Sequence, residues 1–487
     1  MINIKSFLNN RKVRYGSVSV IITITVILLV VLLNIVLTFL FNRFPLNIDL
    51  TGNRVFEISK ETENFLSSLD KDIVIHIMNT EAGFTSASPQ EYFIQANEVM
   101  RKFTQYSSHV KIEYVDLLRN PGFSSQYPSE QIRMNDIIVK SGEKYKIIYP
   151  STLFNIFSSE YGDYVASSRA EQTLTSAMLN VISGGKHAAA VIAGHGAHDI
   201  LGFLELLLLN NYELSEVNLL TGDIHQEVSL IILANPVRDL SPEELKKLDV
   251  FLDKGDNRAL FYLASLVQPE LPNIDIFLGE WGIQVDSGLV FETDNSRLIS
   301  PSQFIAIADY AEDKYSRNMI QKNLQPLIAQ SRPLRAVYDE FRYRYVTTLL
   351  KLSPLSGIRP VNSSNDWIPS LSDITGDIPA LMLSTQARND ASGNLIKSHV
   401  LVCGSILALE ESTLGNPYIA NSAYFLDLLG ALTGREDYFH IMDKVIGFTE
   451  LRANYSQIIV MTVIFTVLLP LAVLTAGIIV WLRRRHK

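Results

Sequence analysis

The chain has 487 residues, of which 47% are hydrophobic and 19% charged, and its formal net charge is −9. This length predicts two or three domains, and the apolar content excludes an intrinsically disordered chain. The acidic balance repels phosphate backbones, so nucleic acid is not an expected partner. The single cysteine, Cys403, excludes an internal disulfide and a cysteine-rich zinc site.

The first predicted element is a transmembrane helix over residues 16–42, a run without charged residues. About 20 apolar residues cross a hydrocarbon core of roughly 30 Å, so the run is long enough. Because the preceding tail, residues 1–15, is basic, a cleaved signal peptide is the alternative. The run exceeds a typical signal core and no small-residue cleavage site follows it, so we favour the membrane helix.

A second uncharged run predicts a transmembrane helix over residues 456–482, followed by the cationic tail 483–487. A buried core helix is the alternative for both runs, and their length and flanks disfavour it. Both basic clusters lie on the terminal sides. The positive-inside rule therefore predicts that both tails are cytoplasmic and that the intervening region lies outside the cell membrane.

A first extracytoplasmic α/β module is predicted over residues 43–167. Ser59 is placed to cap a helix, residues 72–79 alternate like a strand, and residues 90–107 have helical spacing. A strand at 110–117 and a hairpin around Ser141-Gly142 complete a thioredoxin-like order, β-α-β followed by β-β. The module contains no Cys-x-x-Cys motif, which excludes thioredoxin-type redox chemistry.

A second extracytoplasmic α/β module is predicted over residues 168–452, with a mainly parallel, Rossmann- or amidotransferase-like sheet. Near-continuous apolar strands alternate with helices, which is typical of buried parallel sheets. One helix carries a capping box, with Ser241 at the N-cap, Pro242 at N1 and Glu244 at N3. Residues 291–395 give few signals; the segment 317–330, RNMIQKNLQPLIAQ, has helical spacing.

The loop GHGAHD, residues 194–199, is the strongest candidate site. It follows a predicted parallel strand, and ligands bind at the carboxyl ends of strands in open α/β sheets. His195, His198 and Asp199 are residue types that bind zinc or iron. The alternative, which we favour, is a tight glycine turn in which His198 or Asp199 caps the helix starting at Ile200.

Other catalytic motifs are incomplete. Cys403 precedes a glycine, as an amidotransferase nucleophile could, but it lies within an apolar strand where a buried, inert thiol is expected. Ser183-Gly184-Gly185-Lys186 lacks the spacing of a Walker A motif, so the chain is not expected to hydrolyse ATP itself. No cofactor or metal is predicted.

Four segments together resemble a known family. They are DLTGNRVFEISKET after the first membrane run, AEQTLTSAMLNVISGGKHAAAVIAGHGAHD, VSLIILANPVRDLSPEELKKLDVFLDKG and LVCGSILALEESTLGNPYIANSAYFLDLLGALTGRED. In this order, with a helix at each end, they resemble the auxiliary membrane subunits of gliding-motility-type ABC transporters. Gly255-Asp256 and Gly404-Ser405 depart from the Gly-Gly and Gly-Asp pairs frequent in that family.

The resemblance implies a non-enzymatic auxiliary subunit in a bacterial cell membrane. Its implied partners are an ABC ATPase subunit and a multispanning permease subunit, besides the lipid bilayer and an unknown extracytoplasmic ligand. The alternative from another class is a surface metal-dependent hydrolase that uses the GHGAHD loop. A stand-alone adhesion or sensor protein is a third hypothesis.

Overall fold

In the computed structural model of this protein, the described residues are 24–36, 54–159, 162–183, 187–196, 200–364, 366–390, 392–416, 418–435, 441, 443–446 and 463–485. The chain divides into two units, Met1–Arg54 and Val55–Lys487. Both units include a stretch of a predicted membrane helix, and the larger one carries the α/β architecture.

The predicted membrane segments, residues 16–42 and 456–482, both extend beyond the described residues. Within them, residues 24–36 are helical, and a π-helical turn, Ile464–Leu468, leads into a helix, Leu469–Arg485. Of the helices described in the structure, none combines the length and apolar character needed to cross a membrane. The membrane assignment therefore remains a prediction from the sequence.

The helices of the larger unit before its terminal segment begin and end close to the sequence signals. Ser59 caps the first of them, as predicted, by accepting a hydrogen bond from the Thr62 amide at 3.2 Å. The helices are α1 Lys60–Ser67, α2 Glu81–Thr85, α3 Gln90–Tyr106, α4 Ala170–Ser183, α5 Leu201–Leu209, α6 Pro242–Asp253, α7 Pro272–Glu280, α8 Arg317–Gln321, α9 Glu411–Leu414 and α10 Asn421–Leu432.

The strands build two main sheets and several two-stranded ladders. The strands are β1 Ile73–Ile77, β2 Val110–Tyr114, β3 Ile137–Ser141, β4 Lys144–Ile148, β5 Phe154–Ser159, β6 Gly162–Ser168, β7 His187–Ile192, β8 Tyr212–Val217, β9 Val228–Ala234, β10 Arg258–Leu263, β11 Ile283–Val285, β12 Leu289–Glu292, β13 Ile305–Ile307, β14 Asp309–Tyr310, β15 Leu327–Ala329, β16 Leu334–Ala336, β17 Glu340–Phe341, β18 Arg344–Lys351, β19 Ser356–Arg359, β20 Pro379–Asn389 and β21 Leu395–Cys403.

The first sheet has the order β2-β1-β3-β4. β1 pairs with β2 in parallel and with β3 in antiparallel, so the predicted β-α-β and hairpin pattern is present. Helices α3 and α4 cover it with buried side chains such as Phe103, Leu174 and Met178. The predicted boundary at residue 168 precedes α4, and this helix packs on the first sheet.

The second sheet has nine strands and is mixed rather than parallel throughout. Its order is β14-β18-β20-β21-β10-β9-β7-β8, with β17 paired to β18. The strands from β21 to β8 are parallel, whereas β20, β18, β17 and β14 are antiparallel to their neighbours. Successive residues of β10 face opposite cores: Phe261 packs in one and Tyr262 in the other. This sheet is therefore buried on both faces.

Residues 264–394 form a long insertion between the neighbouring parallel strands β10 and β21. The helix predicted over 317–330 is wrong beyond its first turn, because α8 ends at Gln321 and β15 begins at Leu327. Asn323 has a positive φ of 53° and Pro326 cannot continue a helix, so the chain turns into a strand there. The insertion supplies β18 and β20 together with the small ladders β11–β16, β12–β19 and β13–β15.

Candidate functional site

The loop that starts at Gly194 leaves the carboxyl end of β7. The chain passes from β7 to β8 on one side and then to β9 on the other, so this loop lies where the strand order reverses. In open α/β sheets that reversal is a preferred ligand-binding position. Here, the carbonyl of His195 accepts hydrogen bonds from the amides of Val237 and Arg238, at 2.7 and 3.0 Å. The loop is thereby bound to the segment that follows β9.

The imidazole of His195 is buried and bound on both sides. Its Nε2 lies 2.7 Å from Oε1 of Glu244, and its Nδ1 lies 3.2 Å from the carbonyl oxygen of Arg238. Gly196 follows with a φ of +121°, and a Cβ there would lie 2.2 Å from Cγ2 of Val237. Glycine is therefore required at this position for both conformation and space.

Glu244 joins the loop to helix α6. The predicted capping box is present, since the Ser241 hydroxyl accepts from the Glu244 amide at 3.3 Å and Oε2 of Glu244 accepts from the Ser241 amide at 2.8 Å. Burial acts to raise the pKa of Glu244, but hydrogen bonds from Ser241 and His195 outweigh it and hold the pKa below its ordinary value. The sequence pattern predicted the capping box, but it did not predict that the Glu244 carboxylate also binds His195.

Of the three candidate ligand residues, the structure describes only His195. His195 is engaged by Glu244, whereas His198 and Asp199 lie outside the described residues. Helix α5 begins at Leu201 with Ile200 at its N-cap and no side-chain capping bond. In the part of the chain that the structure describes, no group of three or more His, Cys, Asp or Glu side chains is placed to hold a metal ion.

Cys403 lies at the end of β21 and is fully buried. Its Sγ lies 3.2 Å from the carbonyl oxygen of Ser405, and burial raises the pKa of the thiol to about 12. A nucleophilic cysteine needs a lowered pKa and access to its substrate. This thiol has neither property.

A second buried polar group joins the two ends of the α/β region. Glu171, in the first turn of α4, is 3% exposed. Its Oε1 accepts from the Ser59 amide at 2.6 Å and the Thr62 hydroxyl at 2.7 Å, and its Oε2 lies 2.6 Å from Nζ of Lys444. Lys444 also donates to the carbonyl of Glu57. We call Ser59, Thr62, Glu171 and Lys444 the end cluster.

The backbone around Lys444 is fixed to the same place. Ser168 and Lys444 exchange two backbone hydrogen bonds, of 2.8 and 2.9 Å. Oδ2 of Asp443 accepts from Arg169 Nε at 3.1 Å and from the Ser167 hydroxyl at 2.8 Å. Burial raises the pKa of Asp443, and Arg169 acts in the opposite direction. The segment that precedes the C-terminal hydrophobic run is therefore bound beside the one that follows the N-terminal run.

A cavity of about 720 Å³ lies at the carboxyl end of β10. Its walls come from the loop after β10, the start of α7, and the segments around β11 and β19. The lining includes Tyr262, Asp275, Asp286, Arg332 and Arg359. The sequence did not predict this site, because these residues come from distant segments and carry no common motif.

Comparisons with known proteins add a partial family match. Residues 52–155 match the model of a domain of unknown function, DUF7088, a range that contains the whole first sheet. A search of curated proteins found no match to this chain.

Among solved structures, the mmIFT52 N-terminal domain is similar over 52% of this chain and 100% of its own, at 14% identity and a TM-score of 0.36. PurLQS from Thermotoga maritima is similar over 51% of this chain and 100% of its own, at 14% identity and a TM-score of 0.25. A glutamine amidotransferase from Thermotoga maritima is similar over 51% of this chain and 98% of its own, at 11% identity and a TM-score of 0.28.

Proposed function

We propose that this chain is a non-enzymatic auxiliary subunit of an ABC transporter, anchored in a bacterial cell membrane by its two terminal hydrophobic segments. In this proposal a thioredoxin-like module and a Rossmann- or amidotransferase-like module lie outside the membrane, and both tails lie in the cytoplasm. The sheet order β2-β1-β3-β4, with β1 and β2 parallel, supports the first module assignment. The ordered set of segments that resembles auxiliary subunits supports the role.

The end cluster is the structural observation that carries the proposal. Ser59 and Lys444 meet on one carboxylate, that of Glu171, although they are far apart in the sequence. A region held by two membrane helices needs its two ends on the same side. The end cluster meets that requirement, and a region with a single membrane attachment would not need it.

The exposed apolar side chains of the terminal segments support a membrane or a protein partner around them. Leu29 and Ile35 are each 64% exposed in the helix over 24–36, and Phe465 and Leu474 are 64% and 62% exposed in the C-terminal segment. Contiguous exposed apolar surface of this kind marks contact with lipid or with another protein. Asn34, within the first segment, donates from Nδ2 to the Val30 carbonyl of its own helix at 3.2 Å, and in this proposal its amide oxygen accepts a hydrogen bond from a neighbouring helix.

The proposal is tested by isolating the tagged full-length protein from native membranes in mild detergent and identifying co-purifying chains by mass spectrometry. We expect an ATP-binding subunit and a multispanning permease. A matched variant that ends before residue 456 retains the first segment and should recover less permease. Recovery of the full-length chain without either subunit would contradict the transporter role.

The topology is tested separately with single-cysteine variants in a Cys403→Ser background. We expect the exposed Ser125→Cys to react with a membrane-impermeant maleimide in intact cells and Lys487→Cys to react only after permeabilisation. Equal labelling of both positions in intact cells would be incompatible with the proposed orientation.

A further inference from the structure

The cavity at the carboxyl end of β10 has the position and size of a small-molecule site. Ligands of open α/β sheets bind at the carboxyl ends of the strands, and small-molecule pockets measure about 300–1,000 Å³. Tyr262, the next-to-last residue of β10, is only 2% exposed and lines the cavity. Its hydroxyl lies 3.5 Å from Oε1 of Gln268, another lining residue. Polar side chains therefore contribute to the walls of this cavity.

Arg332 places a fixed cation in this cavity. Its Nε and Nη2 donate to the carbonyl oxygens of Asp286 and Val285, at 3.3 and 3.2 Å. Its backbone amide donates to the carbonyl of Gly404 at 2.8 Å, and a Cβ at Gly404 would lie 2.3 Å from the Arg332 oxygen. Within the described ranges, no carboxylate forms an ion pair with Arg332.

One carboxylate of the cavity wall, that of Asp286, is already paired with another arginine. The carboxylate of Asp286 binds the guanidinium of Arg335 through two hydrogen bonds, of 2.9 and 3.1 Å. This two-point arrangement is the strong form of an Arg–carboxylate contact. Arg332 therefore lines the cavity with a guanidinium that has no carboxylate partner among the described residues.

Asp275 supplies the opposite charge without touching Arg332. It lies in the first turn of α7 and lines the same cavity. Burial raises the pKa of Asp275, the guanidinium of Arg332 lowers it, and the carboxylates of Asp239 and Glu270 raise it. Arg332 and Asp275 thus line the same cavity with opposite charges, and among the described residues they form no ion pair with each other.

We propose that this cavity binds a small zwitterion, an amino acid or a dipeptide, with its carboxylate on Arg332 and its ammonium group on Asp275. A ligand of this chemistry forms an ion pair with both side chains, whereas a simple anion would leave the carboxylates of Asp275 and Glu270 without a cationic partner from the ligand. Arg359 gives the cavity a second cation, held by the carbonyls of Ser363 and Ser364. The inference rests on the cavity and is independent of the transporter role.

The test is calorimetric titration of the full-length protein in mild detergent with four organic probes and, separately, with inorganic phosphate. L-alanine and L-alanyl-L-alanine carry both charges, N-acetyl-L-alanine lacks the ammonium group, and L-alaninamide lacks the carboxylate. We expect at least one zwitterion to bind about tenfold or more tightly than either blocked probe, because a charge-assisted hydrogen bond contributes about 1.5–3 kcal/mol. Alanine alone would identify a free amino acid as the ligand, and alanyl-alanine alone would identify a peptide.

Variants assign each charge to its residue. Arg332→Gln should weaken zwitterion binding about tenfold and leave alaninamide binding unchanged, because alaninamide has no carboxylate. Asp275→Asn should weaken zwitterion binding to a similar extent and leave the binding of N-acetyl-alanine, which has no ammonium group, unchanged. Arg332→Lys retains the charge and checks whether loss of binding reflects loss of folding, and the exposed Arg317→Gln is the matched control. The proposal is overturned if no zwitterion binds, if inorganic phosphate binds as tightly, or if both variants bind like the wild type.

Discussion

The imidazole of His195 and the carboxylate of Glu244 form a buried pair, with Nε2 and Oε1 2.7 Å apart. The pair connects the loop after β7 to the N-terminus of α6 at the point where the strand order reverses. A position that commonly receives a ligand in such sheets is here occupied by the protein's own side chains. His195 therefore acts as a structural residue in this state of the loop.

Removing either partner of this pair should destabilise the fold. We expect Glu244→Gln and His195→Ala each to lower the free energy of unfolding by about 1–3 kcal/mol, since a buried polar group loses its partner. The double variant should lose less than the sum of the two, because the residues share one interaction. Urea unfolding followed by circular dichroism measures these changes. Glu243→Gln, on the exposed neighbouring residue, is the control, and additive losses would contradict the pairing.

Breaking the end cluster should lower the free energy of unfolding more than breaking the pair of His195 and Glu244. Glu171 is buried and Lys444 is mostly buried, so Glu171→Gln or Lys444→Met should each lower the free energy of unfolding by about 3 kcal/mol. Arg119→Gln removes an exposed ion pair with Asp116 and should change it by less than about 1 kcal/mol. The same unfolding measurement checks both. Equal effects of the buried and exposed variants would rule out a structural role for the end cluster.

His399 should make the fold acid-sensitive. It is buried on β21 with Nδ1 3.0 Å from the Thr385 hydroxyl, and burial, with help from Lys397 and Lys314, lowers its pKa to about 4. Because the folded pKa is below the unfolded value of about 6.5, its contribution is present above pH 6.5 and is lost as the pH falls towards 4. The loss amounts to about 3 kcal/mol.

The pH dependence of His399→Gln tests this expectation. Between pH 7 and about pH 4 the variant should lose less stability than the wild type, measured by urea unfolding at each pH. His225→Gln, at an exposed histidine, should retain the wild-type decrease. Parallel curves for the wild type and His399→Gln would show that another group carries the acid sensitivity.

Cys403 should be unreactive until the protein unfolds. Its thiol is fully buried with a pKa raised to about 12, so a chromogenic disulfide reagent should not modify the native protein at pH 8. In concentrated denaturant, one thiol per chain should react, since the sequence contains a single cysteine. Ser125→Cys supplies an exposed positive control. Rapid labelling of the native wild type would mean that β21 opens readily.

Local signals in the sequence predicted much of the fold. The capping box at Ser241 and Glu244 is present because it depends only on residues three positions apart. The alternating and helical patterns that gave β1 and α3 likewise depend on neighbours in the chain. The insertion after β10 was harder to predict from the sequence, because its short strands pair with distant partners and share no repeating pattern.

The candidate site was only partly predictable for the same reason. His195 was identified by type and position, but its partner Glu244 is 49 residues away and is brought to it by the placement of β9 beside β7. The cavity combines Tyr262 of β10, Asp275 of α7 and Arg332 of the connection between β15 and β16. No local spacing in the sequence predicts that these three residues lie together, because their juxtaposition depends on how the insertion folds back on the sheet.

The end cluster also has a consequence for the order in which the protein is made. The first sheet has all its strands once residue 148 has been synthesised, and α4 follows soon after. Lys444, the lysine that pairs with Glu171, is added 273 residues after it. A nascent chain therefore exposes the acceptor long before the donor exists, and translation must approach the C-terminal hydrophobic segment before the two ends can close.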